Sequence, residues 1–274
     1  MSTNIMSVDL EDYYCDLPFS EWSNYKSRVV QNTHVILDLF KKYDVKSTFF
    51  VLGYIAEKFP DLIKEIIEQG HEIASHGYAH IDIRKVSKDS FESDLKKSIN
   101  ILERITGKNV IGFRAPFFSI DKNSFWAFKI LSKYVIYDSS IFPIRSLLYG
   151  VPNAPRRIYR PSLDNPLIEN QTGNLIEIPL ATHRIPLFGN IPIAGGFYLR
   201  FLPYQYIKFG INRLIKNNYH VMMYIHPKDL DPNMPKIRGY SWHYYYNLKS
   251  GLKKFEKILK DFKFSSVKET LEIS

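Results

Sequence analysis

The sequence predicts an α/β fold built on parallel strands, and three features predict it. Short apolar runs of strand length alternate with helix-length segments in units of roughly 30 to 40 residues. Acidic and basic groups stand just after several of those runs, at the expected carboxyl ends of the strands, where folds of this class collect their chemistry. The 274 residues, 45% hydrophobic and 24% charged, suffice for one large core and reach the length of single-domain α/β barrels. No repeat beyond the alternation, low-complexity run or composition shift marks a boundary, so one domain over residues 1–274 is expected.

Ile5 to Val8 is the first strand and ends in the acidic cluster Asp9-Leu10-Glu11-Asp12. Val29 to Tyr43 carries Val29, Ile36, Leu37, Leu39 and Phe40 at helical spacing. Ser47 to Leu52 is rich in strand-favouring residues and closes at Gly53; a helix over 54–69 then ends at Gly70, a suitable terminator. A strand over Glu72 to Ala74 leads into Ser75-His76-Gly77-Tyr78-Ala79-His80, which holds two of the eight histidines four residues apart. On a helix the two rings share a face; at the mouth of a strand-to-helix loop they can also converge, and either geometry suits one metal ion.

Ser87 caps a helix running to Thr106-Gly107, and Val110 to Phe113 leads to Arg114-Ala115-Pro116. A helix over 121–132 precedes the strand Tyr134 to Tyr137, which delivers Asp138-Ser139-Ser140. Residues 142–200 break the rhythm with eight prolines between Pro143 and Pro192. Their many Ile, Leu, Phe and Tyr residues argue for ordered loops and short strands, Asn174 to Ile178 among them, rather than a disordered linker. Regularity returns with a helix from Pro203 to Asn217, a strand from Tyr219 to Ile225 ending at His226-Pro227, a helix over 244–261 and a last strand over Phe262 to Val267.

A single cysteine, Cys15, excludes an internal disulfide framework. No apolar run approaches the roughly 20 residues of a membrane span. The N-terminus has neither a basic segment nor an apolar core of the signal-peptide kind, so a cytoplasmic location is expected. The formal charge of +9 favours anionic partners and permits peripheral contact with an acidic membrane face. Nucleic acid is not expected as a partner, because the lysines are dispersed and no binding motif accompanies them.

Gathered by strand end, the polar groups are Asp9, Glu11 and Asp12; His76 and His80; Arg114; Asp138; and His226. Two histidines and a carboxylate, with positions left for water, make a site for Zn²⁺ or a similar first-row ion such as Co²⁺. The remaining groups can supply a base, its orienter and an acid.

In order, these residues resemble the five motifs of the polysaccharide deacetylase family (carbohydrate esterase family 4, NodB homology), over about residues 5 to 267. Ser7-Val8-Asp9-Leu10-Glu11-Asp12-Tyr13 stands at the first motif, Ser75 to His80 at the second and Arg114-Ala115-Pro116-Phe117 at the third; Tyr137-Asp138-Ser139-Ser140 lies at the fourth and Tyr224-Ile225-His226-Pro227 at the fifth. Gly195 to Pro203 further resembles a branch associated with exopolysaccharide and O-antigen synthesis.

The resemblance implies a distorted (β/α)7-type barrel and metal-dependent removal of an N-acetyl group from an amino sugar of a glycan, or of a lipid- or nucleotide-linked glycan precursor. It implies Asp9 as general base, His76 and His80 as metal ligands, Arg114 as the partner that keeps Asp9 ionised, Phe117 as a backbone oxyanion donor and His226 as general acid tuned by Asp138. Many members follow the base directly with an aspartate ligand, and here Leu10 fills that position. Glu11, two residues on from Asp9 along an extended strand, shares its face and is preferred as the third ligand; Asp12 is the alternative if the chain turns. Tyr198, Arg200, Trp242 and His243 are candidates for lining a sugar cleft. Two other readings stay open: a metal-independent amidohydrolase of the allantoinase-like kind, and a glycan-binding protein without activity.

Overall fold

The computed structural model describes residues 4–146 and 148–273. The chain forms two compact units, one of Met1–Phe49, Glu65–Glu72 and Ile193–Ser274, the other of Phe50–Lys64 and Ile73–Pro192.

In the first unit the strand Asn4–Leu10 is buried along its whole length, which its near-continuous apolar run predicts for a parallel strand covered on both faces. It pairs in parallel with Val221–Ile225, in register from Asn4 with Val221 to Val8 with Ile225. Its first residues also pair in parallel with Phe264–Ser265. Asp9 and His226 therefore leave neighbouring strands at the same level.

The helix Val29–Tyr43 buries Val29, Asn32, Thr33, Ile36, Leu37 and Phe40 on one face and stops at Asp44 in the left-handed conformation. Its first turn is capped by a residue far back in sequence. The Asp12 carboxylate accepts from the Arg28 N–H at 3.0 Å, from the Val29 N–H at 3.2 Å and from the Ser27 hydroxyl. Orphan N–H groups of a helix start are thereby satisfied.

In the second unit parallel pairing runs Ser75 with Phe113, Phe113 with Asp138 and Asp138 with Glu177. Consecutive strands thus bring Ser75, Phe113, Asp138 and Glu177 to one level, with His76 and Arg114 one residue further on. Gly112 makes this pairing possible: a Cβ there would lie 2.0 Å from the Tyr137 ring. The helix Lys88–Thr106 starts at Ser87, whose hydroxyl accepts the Ser90 N–H, and ends at left-handed Gly107, as the sequence predicts.

Several boundaries differ from the sequence reading. The expected helix 54–69 is two, Gly53–Lys58 and Pro60–Glu68, because proline drives the preceding residue, Phe59 at φ −133°, out of the helical region. The expected helix 121–132 shrinks to Ala127–Leu131. Ahead of it, the Asp121 and Ser124 side chains bond nearby backbone groups and hold turns instead. The strand expected at Tyr134 to Tyr137 is Tyr137–Asp138, and the helix expected over 244–261 begins at Leu248.

The last strand is only Phe264–Ser265, since Ser266 and Glu269 form a capping box that starts the helix Val267–Thr270. Within 142–200 the short strand Ile176–Glu177 is joined by an antiparallel hairpin, Thr182–Ile185 with Gly189–Pro192. Among the described residues no helix is long and apolar enough to cross a membrane.

Replacing Asp12 by Ala strips the cap from Val29–Tyr43 and leaves buried N–H groups unbonded. Urea unfolding of Asp12→Ala is expected to show a loss of about 2 kcal/mol or more, and Asp12→Asn, which keeps an acceptor, a smaller one.

Candidate active site

In the first unit Asp9 and Glu11 are buried at the end of Asn4–Leu10. The His226 ring presents Nε2 to both, 3.9 Å from Asp9 Oδ2 and 3.7 Å from Glu11 Oε1. Lys228, in the turn after His226, donates from Nζ to Glu11 Oε1 at 2.6 Å and to Asp16 Oδ2 at 3.0 Å. Burial alone would lower the Lys228 pKa, but Asp16 and Glu11 outweigh it and hold the ammonium well above its ordinary value. For His226 burial again opposes the charged ring, and the Glu11 and Asp229 carboxylates still raise its pKa.

The His226 imidazole Nδ1 donates to Asp229 Oδ2 at 2.8 Å, a partner the sequence reading does not name when it gives the tuning of His226 to Asp138. Arg200 is not a cleft residue reaching an anionic sugar: it is 4% exposed and its guanidinium is spent on Asp229 and on backbone carbonyls. Asp12, the alternative metal ligand, is the helix cap described above; burial raises its pKa against the hydrogen bonds it accepts. Trp242 stands 62% exposed, its ring edge-on to Phe197 and Tyr246, and Tyr198 is half-buried on the helix Gly196–Phe201. His243 stacks on Tyr244.

In the second unit the two histidines lie in a loop, not on a helix. His76 follows the strand Glu72–Ser75, Gly77 turns the chain at φ +74° and His80 is itself left-handed at φ +50°. The rings of His76 and His80 lie 5.3 Å apart, centroid to centroid. His76 Nδ1 donates to the Arg114 carbonyl at 2.8 Å, which fixes the tautomer and leaves Nε2 as its lone-pair nitrogen. Asp94, on the helix Lys88–Thr106, holds this loop by accepting from the Tyr78 N–H at 2.7 Å and the Ala79 N–H at 3.1 Å. A Cβ at position 77 would meet that carboxylate at 2.7 Å.

Phe117 adopts φ +57° and Phe118 φ +47°, a conformation that costs a bulky residue free energy and that the fold sustains around functional loops. The Phe117 ring packs 4.3 Å from that of His80, centroid to centroid.

Arg114 is 0% exposed. Its Nε and Nη2 donate to the Ser139 carbonyl and hydroxyl, each at 3.0 Å, and its guanidinium lies 4.1 Å from the centre of the Phe50 ring. Asp138 accepts from the Ser140 hydroxyl at 2.6 Å and the Ser140 N–H at 3.2 Å. Its other neighbour is Glu177, which accepts from the Ile141 N–H at 3.0 Å. Burial drives the Glu177 pKa well above the usual range and the adjacent Asp138 carboxylate drives it further.

Asp229, Lys228, Asp94 and Glu177 were missed from the sequence. Glu177 carried a readable signal, an acid between Ile176 and Ile178 in an expected strand. Asp229 carried a weaker one, three residues past a histidine across a proline.

Residues 21–134 match the family model described as polysaccharide deacetylase, and residues 139–272 match a domain of unknown function, DUF3473. A peptidoglycan-N-acetylglucosamine deacetylase from Bacillus cereus is 41% identical over 96 residues, 35% of each chain. A peptidoglycan deacetylase from Helicobacter pylori is 37% identical over 81 residues, 30% of this chain and 28% of the relative. The matches thus span about a third of these relatives' own length.

Among solved structures, a Mycobacterium smegmatis protein assigned to the polysaccharide deacetylases superposes with a TM-score of 0.64 at 18% identity over 99% of this chain and 90% of that one. The Puue allantoinase superposes at 0.61 and 16% identity over 98% and 88%. The fold is therefore the α/β distorted (β/α)7-type barrel. Over residues 21–134 the chain is similar to the polysaccharide deacetylases.

The raised pKa of Glu177 has a consequence for stability. A group whose folded pKa lies above its unfolded value contributes stability that is full below the unfolded value, about 4.3 for Glu, and lost as pH rises through the folded one. Glu177→Gln keeps a donor and cannot ionise. Urea unfolding at pH 5, 7 and 9 is expected to show wild type losing more stability toward pH 9 than this variant.

Proposed function

We propose that the chain hydrolyses the N-acetyl group of an amino sugar. The observation that carries this reading is the His76 imidazole, locked by the Arg114 carbonyl in the tautomer a metal ligand requires. It is supported by the donor types: Glu11, His76 and His80 are each buried and are oxygen and nitrogen donors of the kind that hold a divalent first-row ion. Asp12 is committed to its helix, which favours Glu11 as the carboxylate. Zn²⁺ is the leading ion and Co²⁺ a substitute.

When bound, such an ion acidifies water and polarises the acetamide carbonyl. Asp9 takes the proton of the attacking water, and the Phe117 N–H donates to the oxygen that gains charge as the carbonyl carbon becomes tetrahedral. His226 then gives a proton to the amide nitrogen as the C–N bond breaks, releasing acetate and a free amine. Trp242 and Tyr198 offer faces on which a sugar ring can rest.

The relatives' names point to N-acetylglucosamine in peptidoglycan. For this chain we favour a glycan or a lipid- or nucleotide-linked precursor in exopolysaccharide synthesis, at the cytoplasmic side of a membrane, since the +9 charge suits anionic carriers. One observation favours a second reading. The Lys228 ammonium on Glu11 supplies positive charge at that carboxylate without any ion, as a metal-independent amidohydrolase would need.

Acetate release from N-acetylated oligosaccharides and nucleotide sugars should vanish with chelator and return with Zn²⁺ or Co²⁺. His76→Ala should empty the protein of bound metal by elemental analysis. Asp9→Asn should lower kcat by about 100-fold or more; full activity in chelator would replace the first reading by the second.

A further inference from the structure

We propose that Asp229, braced by Arg200, is the positioning residue of His226, doing in this chain the work expected of Asp138. The acid role of His226 rests on the function proposed above; the geometry that orients its ring does not.

Asp229 is seated by both ends of its carboxylate. Oδ2 accepts from the His226 backbone N–H at 2.9 Å and from the ring Nδ1 at 2.8 Å, while Oδ1 accepts from Arg200 Nη2 at 3.1 Å. Neither Asp229 nor Arg200 is open to solvent, their side chains being 4% exposed. A desolvated pair of this kind is retained only where further bonds satisfy it, and Arg200 has them: Nε donates to the Gly196 carbonyl at 3.2 Å and Nη1 to the carbonyls of His243 at 3.2 Å and Tyr246. The guanidinium is therefore fixed by the helix Gly196–Phe201 and by the turn that follows Trp242.

Room for the pair comes from three glycines. A Cβ on Gly196 would sit 1.7 Å from Asp229 Oδ2, one on Gly251 2.5 Å from the Asp229 carbonyl, and one on Gly195, which holds φ +102°, 2.6 Å from the Tyr224 hydroxyl. Two helices thus approach the turn Pro227–Leu230 as closely as only glycine permits, and what they enclose is Asp229.

The consequence for the ring is directional. With Nδ1–H held by Asp229, the exchangeable position is Nε2, and Nε2 is the nitrogen turned toward Asp9 and Glu11. Asp138 meanwhile accepts from the Ser140 hydroxyl at 2.6 Å and the Ser140 N–H at 3.2 Å. Gly196 and Arg200 of the sequence Gly195-Gly196-Phe197-Tyr198-Leu199-Arg200 are accordingly a structural brace for the acid.

Proton NMR of the imidazole N–H groups reads this directly in purified protein, whether or not a substrate is known. Wild type should show a far-downfield His226 Nδ1–H resonance that Asp229→Asn abolishes and Asp138→Asn retains. Should Asp229→Asn fail to fold, the double variant Arg200→Met/Asp229→Asn, which removes both charges together, is read in its place. In turnover, Asp229→Asn should lower kcat by about 100-fold with KM changed less than about twofold, and Arg200→Lys should recover more activity than Arg200→Met. Loss of the resonance in Asp138→Asn instead, or its persistence with unchanged kcat in Asp229→Asn, would overturn the proposal. An active Asp229→Asn enzyme would do so while leaving the deacetylase reading intact, and an inactive wild type with the resonance present would uphold the brace and refute that reading.

Discussion

The register between Asn4–Leu10 and Val221–Ile225 is the constraint on which the chemistry of the first unit depends. Two parallel strands, more than 200 residues apart in sequence and paired from Asn4 with Val221 to Val8 with Ile225, deliver their next residues to a common level. A slip of one residue on either strand would turn its side chains to the opposite face. Asp9 and Glu11 would then lose His226, and Lys228 would lose Glu11. The burial of every residue from Asn4 to Leu10 makes such a slip costly, so hydrophobic packing behind the site fixes polar geometry at its end.

Ions held so far from water must be answered by their neighbours. The first unit answers with alternation: Asp16, Lys228 and Glu11 form one chain of opposite charges, and His226, Asp229 and Arg200 form another. In the second unit Asp138 and Glu177 lie side by side, and burial raises the pKa of both carboxyls. Arg114 donates there to serine oxygens and lies on an aromatic face.

Three of the left-handed residues belong to the loops that carry the candidate site residues. His80, Phe117 and Phe118 take left-handed conformations although none is glycine, and the His76–His80 loop is tied down by Asp94 on a neighbouring helix. Free energy spent on these residues is offset by the packed strands and helices around them, the usual distribution for a preorganised site.

The order of strands and helices, the loop histidines and the acidic end of the first strand were legible because each is a local pattern: apolar periodicity, Ser87 and Gly107 as helix stops, motifs in sequence order. Pro60 was legible too and was passed over, so one helix was expected where there are two. What no local pattern could decide is which distant group answers each buried charge. Asp12 and Asp138 look like site residues in the sequence, yet a helix terminus claims the first and Glu177 the second, while Arg200 turns inward to hold Asp229. By itself the sequence determined the fold class and the inventory of reactive side chains, because both follow from residue type and spacing. Tertiary structure alone decided their partners, because a hydrogen bond between groups tens or hundreds of residues apart depends on packing that brings them within 3 Å, and spacing along the chain carries no record of that distance.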